Sequence, residues 1–170
     1  VYSTSSQIPY ISIKMSGQLI FVPDEKNAWV PAKVLEVKKG KYVKVKLNPL
    51  MGEGKEKKVE GDLANFDSVT IDELNEECDN VADIKNFNEG IILHHIKQRF
   101  ARGTIYTSVG NILVAVNPYR NLDIYDKDLM STIWSKISGG TDGSEIPPHV
   151  FAIGGQALYR MQKEYKDQSI

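Results

Sequence analysis

The side chains with the clearest chemical potential lie in the stretch from Asn117 to Tyr125, directly after an apolar run. The amide of Asn117 can donate to and accept from the edge of a purine base. Pro118 fixes the backbone and removes a competing N–H donor, while the guanidinium of Arg120 can lie over a ring or reach a phosphate. Tyr125 can stack or hydrogen-bond. On spacing alone, a structural turn at a strand end is the favoured interpretation, and a small-molecule site is the alternative.

The element that positions this stretch is the run from Ile112 to Val116. Its five consecutive apolar residues, rich in β-branched types, predict a strand buried on both faces. Ligands bind in the crevice beyond strand ends in open mixed sheets, so Asn117 and the loop after it form the first candidate site. A β-prone run from Ile105 to Ser108, followed by Gly110, predicts a hairpin with this strand.

Other catalytic or metal-binding chemistry has little support in the sequence. His94 and His95 are neighbours, so on a helix they point about 100° apart and cannot share a metal. His149 follows a diproline at a predicted helix start, where a capping or packing role is favoured. A cluster of acidic residues could bind a hard cation, but their order does not match an EF-hand loop, and a run of solvent-exposed charges is favoured over a cation site. These residues are Asp72, Glu73, Glu76, Glu77 and Asp79. No catalytic residue and no metal site is predicted.

The phosphate-binding loop of nucleotide hydrolases is not present in these residues. The two Gly-Lys pairs, at 40–41 and 54–55, lack the glycine five residues earlier and the following Ser or Thr. The Gly154-Gly155 pair belongs to no G-x-G-x-x-G turn and predicts instead a close approach of a neighbouring element.

Composition limits the classes of partner. Net charge is −1, but residues 26–60 carry 10 Lys and 4 Glu, whereas residues 62–90 carry 9 acidic residues and one Lys. The lysines alternate with apolar residues and indicate a solvated strand face rather than a nucleic-acid surface. No apolar run approaches the length of a membrane span, and the lone Cys78 fits a reducing compartment. The missing initiator Met and the apolar end at Ile170 predict that the natural polypeptide extends further.

Short runs separated by turn residues predict an antiparallel barrel of the SH3-like type over residues 17–61, after an arm over residues 1–16. Asn48-Pro49 and a loop at 51–55 separate its last strands, and the acidic segment after Gly61 is expected to be ordered but mostly irregular. The strands are expected at Leu19 to Val22, Trp29 to Val37, Tyr42 to Leu47 and around Lys57 to Val59.

Three helices are predicted in the remainder of the chain. The first begins at the N-cap Asn88 and ends at Gly103, the second is capped by Asp126 and reaches Ile137, and the third follows Pro147-Pro148. A loop over residues 138–144 is expected to be flexible, and Gln168 to Ile170 predict the start of another strand. The apolar positions at helical spacing are Ile92, Ile96 and Phe100 in the first helix and Val150, Ile153, Ala157, Met161 and Tyr165 in the third. The stripe of the second helix is predicted to be buried and consists of Leu129, Met130, Ile133, Trp134 and Ile137.

From Ile105 onward the sequence resembles the motor domain of myosins. The segments that carry this resemblance are Ile105-Tyr106-Thr107, the run from Ile112 to Val116, Asn117-Pro118-Tyr119-Arg120, Ile124-Tyr125, the stretch from Pro148 to Ile153, and Gln168-Ser169-Ile170. Upstream, Val22-Pro23-Asp24-Glu25 is similar to the SH3-like subdomain that precedes many myosin motors, and Asn88 to Phe100 is similar to the first motor helix. The match is collinear from about residue 16 to residue 170.

The resemblance implies a nucleotide role for the loop. It implies that Asn117, Pro118, Tyr119, Arg120 and Tyr125 contact the adenine of ATP. It also implies ATP and Mg²⁺ as cofactors of the complete motor, with actin filaments and light chains as partners of later parts of the chain. A cytoplasmic, cytoskeleton-associated protein is expected. Arg120 stands where Lys is usual in the family and Asp123 where Pro is common, which indicates an unconventional myosin.

The predicted fold is therefore a mixed α+β chain. An SH3-like barrel is followed, over residues 62–170, by the first helices and strands of a P-loop-type motor core. Phosphoryl transfer depends on the phosphate cradle, Mg²⁺ and water positioning, so these 170 residues alone are not expected to hydrolyse ATP or hold it tightly. The strand from Asn111 to Val116 needs sheet neighbours that the family supplies from later sequence. These residues alone are therefore expected to expose apolar surface, to oligomerise or to occur only as part of a larger chain. The alternative function is a non-catalytic SH3-like interaction or scaffold module.

Overall fold

A computed structural model describes residues 12–13, 17–47, 54–140 and 145–170. Within these ranges the chain forms eight strands and four α-helices, and the strands of both sheets pair antiparallel. A mixed α+β chain with an antiparallel sheet is thereby confirmed. The strands are β1 (Ser12–Ile13), β2 (Leu19–Asp24), β3 (Ala28–Lys38), β4 (Tyr42–Leu47), β5 (Glu56–Glu60), β6 (Ser68–Val69), β7 (Tyr106–Val109) and β8 (Ile112–Ala115). The helices are α1 (Ile71–Asn75), α2 (Glu89–Ala101), α3 (Lys127–Ser138) and α4 (Val150–Glu164).

The larger sheet has the order β5-β4-β3-β2-β6, and β1 also pairs with β3. The long strand β3 pairs with β2 over its first half and with β4 over its second, and a β-bulge separates Val34 from Glu36. A bulge bends a strand and increases its twist. The four strands predicted between Leu19 and Val59 are confirmed, but the described pairings form an open sheet with β5 and β6 at its edges.

The chain divides into two compact units, and the first contains residues up to Glu76 together with Asn88–His94. Its core is aliphatic because alternate residues of β2 to β5 point to one face. The ring of Phe21 lies on the other face of β2, so close to Gly90 that a side chain there would overlap it. The buried core residues are Ile20, Val22, Val30, Ala32, Val34, Val43, Val45 and Val59.

The acidic segment after Gly61 contains more regular structure than predicted. A 3₁₀ turn at Leu63–Asn65, the strand β6 and the helix α1 follow in succession. Thr70 and Glu73 form a capping box at the start of α1: the Glu73 N–H donates to Thr70 Oγ1 at 3.2 Å, and the Thr70 N–H donates to Glu73 Oε2 at 2.8 Å. The prediction of a solvated acidic run is therefore wrong for Glu73, whose side chain is buried as a cap.

Helix α2 begins and ends where predicted. The Asn88 Oδ1 accepts the Ile91 N–H at 2.9 Å, and Gly103 follows the helix with a φ of 86°. The predicted apolar stripe is not the most buried face of the helix, because Phe100 is exposed and Ile92 and Ile96 are only half-buried. The most buried positions are Ile91, His94 and His95. Consecutive apolar residues at 91–93 gave the helix two competing apolar faces, and periodicity could not separate them.

The second unit, Glu77–Phe87 with His95–Ile170, contains the predicted β7–β8 hairpin. Gly110 supplies the positive φ of its turn. Strand β8 was predicted to be buried on both faces, but Ile112 is 67% exposed because the described residues offer β8 only one neighbour, β7. The other side of β7 meets Asn80 in a single parallel bridge to Ser108. Of the outcomes expected for this strand, exposure of apolar surface is found at Ile112.

Helices α3 and α4 pack together through a small apolar core. Asp126 caps α3 as predicted, its Oδ1 accepting the Leu129 N–H at 2.7 Å. Ile133 and Ile137 are buried against Ala152, and Gly155 lies so close to Ile137 that an added Cβ would be 2.7 Å from its Cδ1. The predicted close approach is thus found at Gly155. Met130 was predicted to be buried but is exposed. Three of the apolar positions at helical spacing on α4 are also exposed: Val150, Met161 and Tyr165.

The remaining predictions concern the ends of elements. Residues 165–170 form no strand, since the described residues offer no partner for one. The predicted arm, apart from the short β1, lies outside the described residues, and so do the turn at Asn48-Pro49, most of the loop at 51–55 and residues 141–144 of the predicted flexible loop. Across the described ranges, every helix is too short or too polar to cross a membrane.

Candidate functional site

The loop after β8 begins with a tight turn closed by Asn117. Its Oδ1 accepts the N–H of Tyr119 at 2.8 Å, which is an Asx turn. Tyr119 has a φ of 50°, and its ring is 92% exposed. Asn117 and Arg120 are also exposed. The turn therefore presents an amide, a phenol ring and a guanidinium to solvent, and the Nδ2 donors of Asn117 take no part in the turn's own hydrogen bond.

The far end of the loop is held by an aromatic cluster, which consists of Tyr106, Tyr125, His149 and Phe151. The Tyr125 hydroxyl lies 2.9 Å from the Tyr106 hydroxyl, and the Tyr125 ring packs against His149 at a centroid distance of 5.7 Å. The Tyr106 and His149 rings meet edge to face at 5.1 Å. Tyr106 is buried whereas Tyr125 is 52% exposed, so Tyr125 is held through its hydroxyl and its contact with His149 while much of the residue remains accessible to solvent.

His149 connects the loop to the first turn of α4. Its Nδ1 accepts the Phe151 N–H at 3.1 Å, and its Nε2 lies 2.9 Å from the carbonyl oxygen of Ile124. The side chain is buried. The predicted capping or packing role is confirmed, and the contact with Ile124 adds a link to the candidate site.

Burial changes the ionisation of two members of the cluster. Desolvation, assisted by the hydrogen bond with Tyr125, raises the pKa of Tyr106 to about 12. Desolvation also lowers the pKa of His149, and the hydrogen bond to Ile124 opposes that shift in part. At neutral pH both side chains are therefore uncharged, so the cluster supplies shape and hydrogen bonds rather than charge.

Arg99 anchors the strand that carries Tyr106. Its Nη2 donates to the Tyr106 carbonyl at 3.0 Å and pairs with Asp79 at 2.8 Å, while its Nη1 donates to the Cys78 carbonyl at 2.7 Å. Its Nε donates to Thr107 Oγ1 at 3.1 Å. A mostly buried guanidinium therefore ties the end of α2 to β7 and to residues 78–79. Asp79 and Glu77 are exposed, as predicted for a solvated acidic run, but each also forms an ion pair. Asp79 pairs with Arg99, and Glu77 pairs with Arg102.

The predicted site residues fall into two groups. Asn117, Pro118, Tyr119 and Arg120 lie together in the exposed turn, whereas Tyr125 belongs to the aromatic cluster. Within the described residues no hydrogen bond or ring contact joins Tyr125 to the turn. Sequence spacing does not predict the cluster, because its members lie on three separated segments. The one local signal was His149 beside a diproline, which indicated a cap but not the contact with Ile124.

Comparison with known proteins identifies relatives of the chain. Residues 78–170 match the family model of the myosin head (motor domain), and this range includes every predicted site residue. The chain is 27% identical over 177 aligned positions to Myosin-1 of Saccharomyces cerevisiae, an alignment that covers 91% of this chain and 9% of that protein. The chain thus spans about a tenth of the length of this relative.

Proposed function

The chain belongs to the myosin head (motor domain) family, and on this basis we propose that its loop from Asn117 to Tyr125 contributes the adenine-binding edge of an ATP-driven, actin-based motor. The observation that carries the proposal is the exposed turn, in which the Asn117 Oδ1 accepts a backbone N–H while the Asn117 Nδ2 makes no hydrogen bond among the described residues. An amide fixed in this way can recognise the acceptor nitrogens of a purine without reorganising.

Neighbouring side chains complement this edge. Arg120 is exposed and makes no hydrogen bond or ion pair within the described ranges, so it can lie over the base or turn toward phosphate. Pro118 shapes the turn, and Tyr119 offers an exposed ring for stacking. Tyr125 is partly exposed and is held in place by Tyr106, so it can contribute a further contact.

The hydrolytic step belongs to groups that these residues do not include. No Walker A sequence occurs among the 170 residues, and base recognition alone does not accelerate phosphoryl transfer. In the complete motor, ATP and Mg²⁺ would be held mainly by the phosphate cradle. The chain by itself would bind adenine nucleotide weakly and would not hydrolyse it.

The finer architecture also forms part of the proposal. Residues 17–61 form an SH3-like barrel after an arm at 1–16, and residues 62–170 form the beginning of a P-loop motor core. The bulge in β3 supports barrel closure, because it bends the strand between its pairings with β2 and β4. Actin filaments and light chains would bind other parts of the complete motor, which would act on the cytoskeleton in the cytoplasm.

Photocrosslinking with 2-azidoadenosine triphosphate tests the adenine assignment and captures weak binding. The expected result is a crosslink in the peptide that contains residues 117–125, which ATP competes away more effectively than GTP. A crosslink confined to other peptides, or equal competition by GTP, would overturn the assignment.

Two matched variants sharpen this test. Asn117→Asp keeps the oxygen that accepts the Tyr119 N–H but removes the amide donors, so crosslinking should fall about fivefold, the value of one hydrogen bond. Asn111→Asp makes the same change of charge in the hairpin turn and should leave the yield unchanged. An equal loss in the two variants would indicate a nonspecific effect of negative charge and count against recognition by Asn117.

A further inference from the structure

We propose that His149 is the positioning residue of the adenine-binding loop: its imidazole fixes the C-terminal end of the loop to the first turn of α4. The inference rests on the proposed function for the nature of the ligand, but the positioning itself is a property of the chain without nucleotide. His149 lies 32 positions beyond Asn117 in the sequence and meets the loop only through the fold.

The hydrogen bonds define the state of the ring. The Phe151 N–H can only donate, so the Nδ1 that receives it carries no proton. The Ile124 carbonyl can only accept, so the Nε2 that faces it at 2.9 Å carries the proton. The two bonds therefore select one neutral tautomer, in which one nitrogen caps the helix and the other holds the loop.

The rings around His149 restrict its movement. Its centroid lies 4.7 Å from the Phe151 ring, 5.1 Å from the Tyr106 ring and 5.7 Å from the Tyr125 ring. The imidazole is thus packed on several sides while its two nitrogens are both engaged. A buried ring held in this way fixes Ile124 and Tyr125 relative to the first turn of α4.

Strand β7 supplies the second fixed point. The Tyr106 hydroxyl contacts the Tyr125 hydroxyl, and the Tyr106 carbonyl receives hydrogen bonds from Arg99 at 3.0 and 3.3 Å. The end of the loop is therefore held between α4, through His149, and β7, through Tyr106. The turn at Asn117 already follows directly from β8, so both ends of the loop are attached to regular elements.

Two substitutions separate the two bonds of His149. His149→Asn places an amide oxygen near the position of Nδ1, so the helix cap is kept and the donor to Ile124 is lost. His149→Gln places an amide nitrogen near the position of Nε2, so the donor is kept and the cap is lost. Both variants lose the imidazole ring and its packing, which makes each the control for the other.

The first readout uses the 170-residue chain without nucleotide. Backbone ¹⁵N order parameters report motion of residues 122–125 on the picosecond-to-nanosecond timescale, and amide hydrogen exchange reports the cap at Phe151. His149→Asn should lower the order parameters of the loop and leave exchange at Phe151 nearly unchanged. His149→Gln should keep the loop ordered and raise exchange at Phe151 about fivefold. A purely structural role would loosen both regions equally in both variants.

The second readout is crosslinking to 2-azidoadenosine triphosphate. His149→Asn should reduce the yield at residues 117–125 about fivefold, and His149→Gln should restore most of it. Unchanged order parameters in His149→Asn, or no difference between the variants, would overturn the positioning role. An absence of crosslinking in the unsubstituted chain would instead overturn the adenine assignment, while the order parameters would still decide the role of His149.

Discussion

The hydroxyl oxygens of Tyr106 and Tyr125 lie 2.9 Å apart, although one residue is buried and the other is half-exposed. The bond joins β7 to the end of the candidate loop. Because Tyr106 is buried and Tyr125 is not, we expect the loss of one hydroxyl to differ in free-energy cost from the loss of the other. Removing the outer one leaves a buried polar group without a partner, whereas removing the inner one leaves a group that water can reach.

Tyr125→Phe should therefore destabilise the chain more than Tyr106→Phe. We expect a loss of about 1–3 kcal/mol in the free energy of unfolding for Tyr125→Phe and about 1 kcal/mol or less for Tyr106→Phe. Urea denaturation followed by circular dichroism measures both values. The reverse order would show that water reaches the Tyr106 hydroxyl.

Gly155→Ala and Gly154→Ala form a matched pair on α4. An added Cβ at Gly154 meets no atom within 4 Å, so the higher helix propensity of Ala should stabilise the chain by about 0.5–1 kcal/mol. At Gly155 the Cβ would lie 2.7 Å from Ile137 Cδ1, and the overlap should remove that gain and cost about 1–3 kcal/mol.

Ile137→Val supplies the control for this pair, because it removes Cδ1. In the Ile137→Val background, the effect of Gly155→Ala on the free energy of unfolding should approach the effect of Gly154→Ala. Thermal unfolding of the parent, the three single variants and the double variant Ile137→Val/Gly155→Ala gives the coupling free energy between positions 137 and 155. Independent effects of the two substitutions would contradict the close packing of α3 on α4.

Arg99 and Arg102 should differ sharply in their contribution to stability. Arg99→Ala leaves the carbonyls of Cys78 and Tyr106 without this donor, so we expect a loss of about 2–4 kcal/mol. Arg102 pairs with Glu77 on the surface, and Arg102→Ala should cost less than about 1 kcal/mol. Chemical denaturation measures both, and similar losses would argue against Arg99 as the anchor of β7.

The lowered pKa of His149 makes the stability depend on pH. The folded chain holds the imidazole neutral, so its contribution is complete above the unfolded value of 6.5 and is lost as pH falls through the folded value. The free energy of unfolding should therefore decrease below about pH 6.5. His149→Asn does not titrate there, and subtracting its pH profile isolates the effect. Identical profiles would contradict the assignment.

Local signals in the sequence predicted the ends of elements well. Asn88, Asp126 and Gly103 act within a few residues of themselves, and each was found in its predicted role. The Thr70 to Glu73 capping box depends on equally local residues, but the dense acidic charge of its segment favours the prediction of a solvated run.

The buried faces were harder to predict because they depend on distant neighbours. Ile112 belongs to an apolar run, yet it is exposed where β8 has a single partner within the described residues. The adjacent apolar positions of α2 allowed more than one register for its buried face. The exposed turn of the candidate site follows from Asn117 and Pro118 alone, whereas the contact between His149 and Ile124 requires the tertiary structure.

The attachment of Asn80 to the hairpin has a consequence for the order of folding. The Gly110 N–H donates to Asn80 Oδ1 at 2.8 Å across 30 positions of sequence, and the Ser108 N–H donates to the Asp79 carbonyl at 2.9 Å. An isolated two-stranded hairpin is only marginally stable in water. Closing a connection of this length costs chain entropy before the contacts between its ends can offset that cost. The β7–β8 hairpin, and with it the loop that it carries, should therefore become ordered late. It requires α2, which lies between the two segments in the sequence, to have formed and residues 79–83 to have packed alongside β7.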